Sequence, residues 1–348
     1  MAKDDPRYDT KDERINSSNI VYGTGAASVN IYGGNIHAVF GGSNTKGNVR
    51  ISAVTLLDDQ EGCHFNVDEA YGGGKSAPMD AEAQLHMACI PGLKAAYGGA
   101  EAANIEGNVT LNITNGNFDR VFGGNNISGT ISGTITVNIE ETGCKPVIIG
   151  QLYGGGNLAA YTAPTGQHGP TVNVKSFTSI GEVYGGGYGT GAVVTGDTYV
   201  NINEVLGGKA SAEQFMKEQV TTVTDPATQT TGDDKVSMNT GVTKTFKDSN
   251  DENANTISVD IPLHKSGEIG VINNVYGGGN AAKVVGNTNV NIGTLSTIDY
   301  VTKESGESAA QTNITVKGAN IIGNVYGGGN NAEVTGNTNV TIGKRADQ

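Results

Sequence analysis

Two glutamates and one arginine occur at a spacing that could place them together in a catalytic site. Glu182 and Glu204 each stand two residues before a large residue that is followed by Gly-Gly, and Arg120 stands at the same place in an earlier segment. If these segments are neighbouring strands of a stacked repeat, the two carboxyl groups lie roughly 5 Å apart, the spacing between strands. That separation resembles the carboxylate pair of retaining glycosidases. Glu182, Glu204 and Arg120 are therefore the candidate catalytic residues, and a solvated column of charged side chains is the alternative.

The other motifs that could bind a ligand or a metal do not have the residues or the spacing that such sites require. The segment 72–76 (Gly-Gly-Gly-Lys-Ser) resembles a phosphate-binding loop, but Glu69 stands where that motif needs a glycine. Calcium-binding β-helix repeats need an Asp in each turn, and this chain has Asn there. The five histidines share no spacing, and the three cysteines (Cys63, Cys89 and Cys144) lack a CxxC motif and are expected to be buried thiols. We therefore expect no metal site and no cofactor.

A repeat must position these residues. An aromatic residue or Leu followed by Gly-Gly recurs at nine places about 22 to 70 residues apart: Phe40, Tyr71, Tyr97, Phe122, Tyr153, Tyr184, Leu206, Tyr276 and Tyr326. A second element, such as 107–113 (GNVTLNI), alternates apolar and polar residues and is typical of a half-buried strand. A unit of this size cannot bury its own apolar face, so copies must stack.

The predicted fold is all-β, a single-stranded parallel β-helix of about nine turns, right-handed, with short helical insertions. Glycine accounts for 53 of the 348 residues, which argues against a helical protein, and we expect these glycines to supply positive φ at the corners between strands. The aromatic column is expected to form a packed interior ladder. An outward platform that stacks on sugar rings is the alternative, which Leu206 disfavours.

The outward residues of the second element form the candidate binding face. It is flat, uncharged and built from two columns of polar residues: Thr110, Asn112, Thr136, Asn138, Thr171, Asn173, Tyr199, Asn201, Asn289 and Asn291. Such a face is suited to binding a glycan, a partner protein or ice. The structural alternative is that stacked amides hydrogen-bond one another from turn to turn.

The domain boundaries follow from where the repeat is interrupted. Residues 1–19 are expected to be a flexible charged leader, 20–343 the solenoid, and 344–348 a tail of a truncated array. Insertions are expected at about 75–94, 209–255 and 299–311, with short helices at 79–87 and 212–217, and the segment 255–261 is expected to rejoin the repeat.

Charge and hydropathy limit the partners. Net charge is −13, which disfavours nucleic acid, and no apolar run is long enough for membrane insertion. The start of the chain has no signal peptide, so we expect either a cytosolic protein or one whose leader is missing from this sequence.

The segments 275–280 and 325–330 (Val-Tyr-Gly-Gly-Gly-Asn), with 286–290 and 336–340 (Gly-Asn-Thr-Asn-Val), resemble repeats of the glycine- and asparagine-rich, adhesin-like surface proteins of gut Bacteroidota. The resemblance implies an exported β-helix at the cell surface or outside the cell, and neighbouring solenoid repeats of a longer chain as partners. The primary hypothesis is a non-catalytic, adhesin-like module that binds glycans or surface proteins. The alternatives are a polysaccharide lyase or glycoside hydrolase and, less favoured, an ice-binding solenoid.

Overall fold

The computed structural model describes residues 25–58, 64–142, 144–202, 242–248, 253–261, 270–293 and 321–342, together with the backbone of four strands between 230 and 315. These residues form β-strands, turns and loops. The described part of the chain contains no helix of the length and apolarity that a membrane span requires.

The chain winds as a parallel β-solenoid, as predicted. Successive strands alternate between two long sheets, so each strand pairs in parallel with the equivalent strand of the next turn. Sheet 1 has nine strands: Ala26–Ile31, Ile51–Leu57, Ala83–Ala88, Val109–Ile113, Ile135–Glu140, Thr171–Ser176, Thr198–Ile202, Thr288–Ile292 and Thr338–Ile342. Sheet 2 has eight: Gly34–Phe40, Phe65–Tyr71, Gly92–Tyr97, Gly116–Phe122, Val147–Tyr153, Ser179–Tyr184, Val271–Tyr276 and Ile321–Tyr326.

A short third side closes each turn. Sheet 3 has three two-residue strands, Tyr161–Thr162, Val194–Thr195 and Val284–Val285. Single β-bridges extend the same column through earlier turns, joining Met79 to Ile105 and Ile105 to Ile131. The apolar residue that the sequence places between the two main strands therefore packs as a third wall.

The core lies between the sheets and follows the period-two pattern of the sequence. In Val109–Ile113, the apolar Val109, Leu111 and Ile113 are fully buried, and Thr110 and Asn112 between them are half-buried on the outside. Because each buried residue stacks on its equivalent in the next turn, the same pattern builds one continuous core along the solenoid.

The Gly-Gly corners have a different cause from the one predicted. The glycines that follow the aromatic residues do not have positive φ. Instead, a Cβ on Gly72 would lie 2.2 Å from the carbonyl oxygen of Gly98 in the next turn, and one on Gly123 would lie 2.3 Å from that of Gly154. These corners need glycine because the backbones of successive turns approach too closely for any side chain. Positive φ explains other glycines, including Gly196 and Gly286 at the start of sheet 1 strands.

The predicted helix at 79–87, and with it the insertion at 75–94, is wrong. Met79 lies in the sheet 3 column, Ala83–Ala88 is a strand of sheet 1, and Gly92–Tyr97 is a strand of sheet 2. Residues Ala83, Leu85 and Met87 are fully buried at a period of two. Pairing with strands on both sides therefore outweighs the helix propensity of Ala, Gln, Leu and Met. The helix expected at 212–217 lies outside the described residues.

The described strands also include three antiparallel hairpins that do not belong to these three sheets. They join Thr230–Thr231 to Lys235–Val236, Val242–Lys247 to Thr256–Ile261, and Thr297–Thr302 to Ala310–Thr315. The expectation that 255–261 rejoins the repeat is therefore wrong, because this segment pairs with Val242–Lys247. We call the pair Val242–Lys247 and Thr256–Ile261 the docked hairpin.

Candidate functional site

The position expected for Glu204, next to Glu182 on sheet 2, is occupied by another residue. The strand after Ser179–Tyr184 in sheet 2 is Val271–Tyr276, so the residue next to Glu182 is Asn274. Glu204, predicted for that position, lies outside the described residues. The two neighbouring strands of sheet 2 are here far apart in the sequence, and a regular repeat does not reveal such an interruption.

Glu182 also has structural partners. Its Oε2 accepts hydrogen bonds from Gln151 Nε2 at 2.7 Å and from the hydroxyl of Tyr184 at 2.9 Å. A carboxylate held by two donors within its own sheet is suited to fixing the tyrosine ring beside it.

Arg120 is buried and holds the docked hairpin. Its side chain is 5% exposed, and its Nη1 lies 3.3 Å from Oδ1 of Asp248 at the end of Val242–Lys247. Its guanidinium group also lies 5.4 to 5.8 Å from the ring centres of Phe122, Tyr188 and Phe246. The arginine therefore connects the solenoid to the hairpin.

The ten residues of the candidate binding face lie together on sheet 1, in two columns in register. Thr110 pairs with Thr136, Thr136 with Thr171, and the column continues through Tyr199 to Asn289. The second column has the same register and contains Asn112, Asn138, Asn173, Asn201 and Asn291. We call this surface the polar face.

The asparagines of the polar face form a continuous hydrogen-bonded ladder. Each side-chain NH₂ donates to the side-chain oxygen of the preceding turn at 2.9 Å, from Asn138 to Asn112 and onward to Asn291. One N–H and one lone pair of each interior amide then remain for solvent or a ligand. The turn-to-turn bonds proposed as the structural alternative are thus present, and they leave half of the hydrogen-bonding capacity available at the half-buried asparagines, whereas Asn201 is only 7% exposed.

The aromatic residues form a second ladder, on the outer side of sheet 2. The residue before each aromatic belongs to the main core, whereas the rings form a separate buried cluster. Neighbouring rings stack nearly parallel with centroids 4.6 to 5.1 Å apart, from Phe40 through to Tyr326. Each interior ring has both faces covered by its neighbours, so the ladder cannot be the sugar-stacking platform that was the alternative interpretation.

The tyrosine hydroxyls of this aromatic ladder are tied into polar contacts. Tyr71 donates to Glu69, and the amides of Asn126 and Asn280 donate to the hydroxyls of Tyr71 and Tyr153. Burial raises the pKa of the Tyr71 and Tyr184 hydroxyls well above the usual value, and that of Tyr276 to about 12. These tyrosines are structural groups that remain neutral at physiological pH.

The histidines of the described residues lie at separate places, and His264 lies outside these residues. His37 lies 3.2 Å from Asp68, His86 lies beside Asn112 in sheet 1, and His168 contacts the ring of Tyr199. Burial lowers the pKa of the His86 imidazole, which favours its neutral form. Within the described residues, no group of His, Cys, Asp and Glu side chains has metal-binding geometry.

The expectation of buried free thiols is wrong for two of the three cysteines. Cys89 and Cys144 form a disulfide with a Cα–Cα distance of 5.5 Å. Asn115 of the intervening turn bonds both sides of this link: it accepts from Cys89 N and donates to the carbonyl of Lys145. Spacing could not reveal the pair because the two cysteines are 55 residues apart and meet through stacking of turns. Cys63 lies outside the described residues.

A groove beside the docked hairpin is the feature that the sequence did not indicate. It measures about 1050 Å³ and lies over the outer side of sheet 2, where Ala38, Glu69, Ala95 and Arg120 line it, with Phe246 of the hairpin on one side. The hairpin is not part of the repeat, so the repeat pattern does not predict that its residues line this groove.

Comparisons with protein-family models, with curated proteins and with solved structures give no match to this chain.

Proposed function

We propose that this chain is a non-catalytic, adhesin-like segment of an exported protein and that its polar face binds a glycan or a protein surface. The observation that carries the proposal is the in-register pair of Thr and Asn columns. The asparagine column presents the same amide group once per turn, and the neighbouring column presents Thr hydroxyls in three successive turns. A ligand that has its own repeat of hydroxyl or amide groups gains one set of contacts per turn, which amounts to multivalent binding.

The disulfide supports export. Such links persist in oxidising compartments and are rare in the cytosol of mesophiles. The resemblance of the Val-Tyr-Gly-Gly-Gly-Asn segments to bacterial surface proteins agrees with this. If the parent protein is displayed on the cell surface, protease added to intact cells of the source organism removes this segment. Survival of the segment until the cells are lysed would contradict surface display.

The contacts of Glu182 and Arg120 favour binding over catalysis. Glu182 is held by Gln151 and Tyr184, and Arg120 is held by Asp248 and three rings. The Thr column disfavours ice binding, because the run from Thr110 to Thr171 is only three turns long and ends at Gln84 and Tyr199.

An array of polysaccharides and surface proteins tests the proposal. We expect binding to one class that is reduced at least tenfold by Thr136→Arg or Thr171→Arg, because a long side chain separates the ligand from the ladder. The matched control is Asn324→Arg. Asn324 is exposed on sheet 2, and its side-chain amide donates a hydrogen bond to the side chain of Asn274 in the preceding turn, as the amides of the polar face do.

Equal binding by Thr136→Arg and the wild type would contradict a role for the polar face. Release of sugar ends that is abolished by Glu182→Gln would contradict the non-catalytic assignment. Inhibition of ice recrystallisation that is lost in Thr136→Arg would favour the ice-binding alternative.

A further inference from the structure

The docked hairpin forms a second layer on the outer side of sheet 2. Lys244 Nζ lies 2.8 Å from Asp119 Oδ1 and donates to Asn117 at 2.6 Å, so Val242–Lys247 lies along the strand Gly116–Phe122. The other hairpin strand lies over later turns, where a Cβ on Gly181 would be 2.4 Å from Val259 Cγ1. Glycine at this position is what allows the hairpin to approach the sheet.

This arrangement places one strand of the hairpin beside the groove. Thr245, Phe246 and Lys247 form one side of it, while the part of its floor that lies beyond the hairpin belongs to the three preceding strands of sheet 2. Neighbouring strands are about 4.8 Å apart, so the floor is wide enough for at least one further strand in the second layer.

Among the described strands, none pairs with the groove-side edge of the hairpin strand Val242–Lys247. In the described residues, Val242–Lys247 belongs to a two-stranded sheet and pairs only with Thr256–Ile261. In an antiparallel pair, alternate residues direct their N–H and C=O groups away from the partner strand. Such an edge is a template for another extended chain.

The opposite rim supplies apolar and charged side chains. Ile127 and Leu158 are each 49% exposed, and both line the groove. Lys94 and Asp119 are already paired with Asp68 and Lys244.

The remaining charges of the rim favour an anionic ligand. Among the described residues that line the rim, Lys75 and Lys247 have no carboxylate partner, although Lys247 Nζ donates to the carbonyl of Ala254 at 3.1 Å, and Glu101 has no cationic partner. The rim thus offers two cations against one anion, and the acid on the floor of the groove, Glu69, is 6% exposed and accepts a hydrogen bond from Tyr71.

We propose that the groove binds an extended, acidic segment of a partner polypeptide, which adds to Val242–Lys247 as a third strand of the second layer. The backbone of the segment pairs with the hairpin edge. Alternate side chains of the segment rest on Ala38, Ala95 and the apolar rim, and a carboxylate reaches Lys75 or Lys247. The site continues an interface that the chain already uses for its own hairpin, and it does not depend on the proposed role of the polar face.

Selection from a library of linear peptides displayed on phage, against the whole chain, tests the proposal. We expect enriched peptides that alternate small or apolar residues with polar ones and carry Asp or Glu. A synthetic peptide of the enriched sequence should slow amide hydrogen exchange in Val242–Lys247. The double variant Lys75→Glu, Lys247→Glu should weaken its binding at least tenfold, and Lys283→Glu, on another side of the solenoid, should not.

A second variant tests the floor of the groove. Ala95→Trp fills the space beneath the proposed strand and should abolish peptide binding while the polar-face ligand still binds, which separates the two proposals. The inference is overturned if enriched peptides bind both variants as well as the wild type. It is also overturned if the amides of Val242–Lys247 are fully protected without peptide, because another part of the chain or a second copy then occupies the edge.

Discussion

The two outer faces of the solenoid each stack one type of side chain from turn to turn, polar on sheet 1 and aromatic on sheet 2. Both sheets place one residue type in register along the axis, asparagine on sheet 1 and an aromatic residue on sheet 2. The amides bond one another and stay half-buried, except for the buried Asn201, whereas the rings are largely buried. The rings are covered by the turns that follow them and by the side chains of those turns, such as Tyr188.

This difference separates a surface for recognition from a surface for stability. An amide ladder gains a modest free energy per bond, because water competes for the same groups. A buried ring gains from the area removed from water and from stacking on two neighbours. We therefore expect sheet 1 to tolerate substitution and sheet 2 to determine whether the solenoid stays folded.

Alkaline pH should show the largest contrast. Burial raises the pKa of Tyr276 from 10.0 to about 12 in the fold, and raises those of the other ladder tyrosines as well. The fold therefore favours the neutral hydroxyl. This stabilisation is fully present below pH 10 and is lost as pH rises towards 12 and above.

Unfolding measured by circular dichroism, together with tyrosinate absorbance, checks this prediction. We expect the absorbance of the ladder tyrosines to appear only as the β-signal is lost. Free titration of all thirteen tyrosines near pH 10 in a folded protein would contradict the burial of the ladder.

Truncation of an interior ring should have the next largest effect. Tyr153→Ala removes a fully buried side chain that stacks on Phe122 and Tyr184, and should lower the free energy of unfolding by about 3–5 kcal/mol. Tyr326→Ala is the matched control, because this ring is 45% exposed and stacks on Tyr276 alone among the described residues. Denaturant unfolding should show a clearly smaller loss for the control, and equal losses would contradict the ladder as a source of stability.

Removal of the partner of Arg120 should have a smaller, local effect. Asp248→Asn leaves a buried guanidinium without its carboxylate and should destabilise the docked hairpin by about 1–3 kcal/mol, given that Asp248 is itself 29% exposed. Amide hydrogen exchange should then quicken in Val242–Lys247 and Thr256–Ile261 but not in sheet 1. Glu333→Gln, which breaks an exposed pair with Lys283, is the control and should change neither region. A change spread evenly over the whole solenoid would show that the hairpin does not open independently.

Much of the structure of these two faces was predictable because the sequence that forms them repeats. The alternation in segments such as 107–113 predicted the strands of sheet 1, and the recurring aromatic before Gly-Gly predicted the ladder. Whether the rings pointed into the main core was not predictable. Their burial depends on turns that fold back over them, which is a tertiary property.

The predictions that were wrong concern segments and contacts that do not follow the repeat. Helix propensity at 79–87 was overruled by strand partners on both sides. The position next to Glu182 went to Asn274 because the next strand of sheet 2 is Val271–Tyr276, and Thr256–Ile261 pairs within the docked hairpin instead of rejoining the repeat. The disulfide between Cys89 and Cys144 joins residues that are close only after stacking. In each case the decisive contact links segments for which no local pattern specifies the register.

The smallest effect should come from the ladder on sheet 1. Asn138→Ala removes one bond to Asn112 and one from Asn173, and both partners are half-exposed, so water replaces the lost amide at a cost of about 1 kcal/mol. Asn138→Asp sharpens the test, because a carboxylate accepts from Asn173 but cannot donate to Asn112 unless it is protonated. The stability of this variant should rise as pH falls through the range in which the carboxylate takes up its proton. If Asn138→Ala costs as much as Tyr153→Ala in the same denaturant experiment, the polar face is a stabilising ladder like its aromatic counterpart and its role in recognition loses its physical basis.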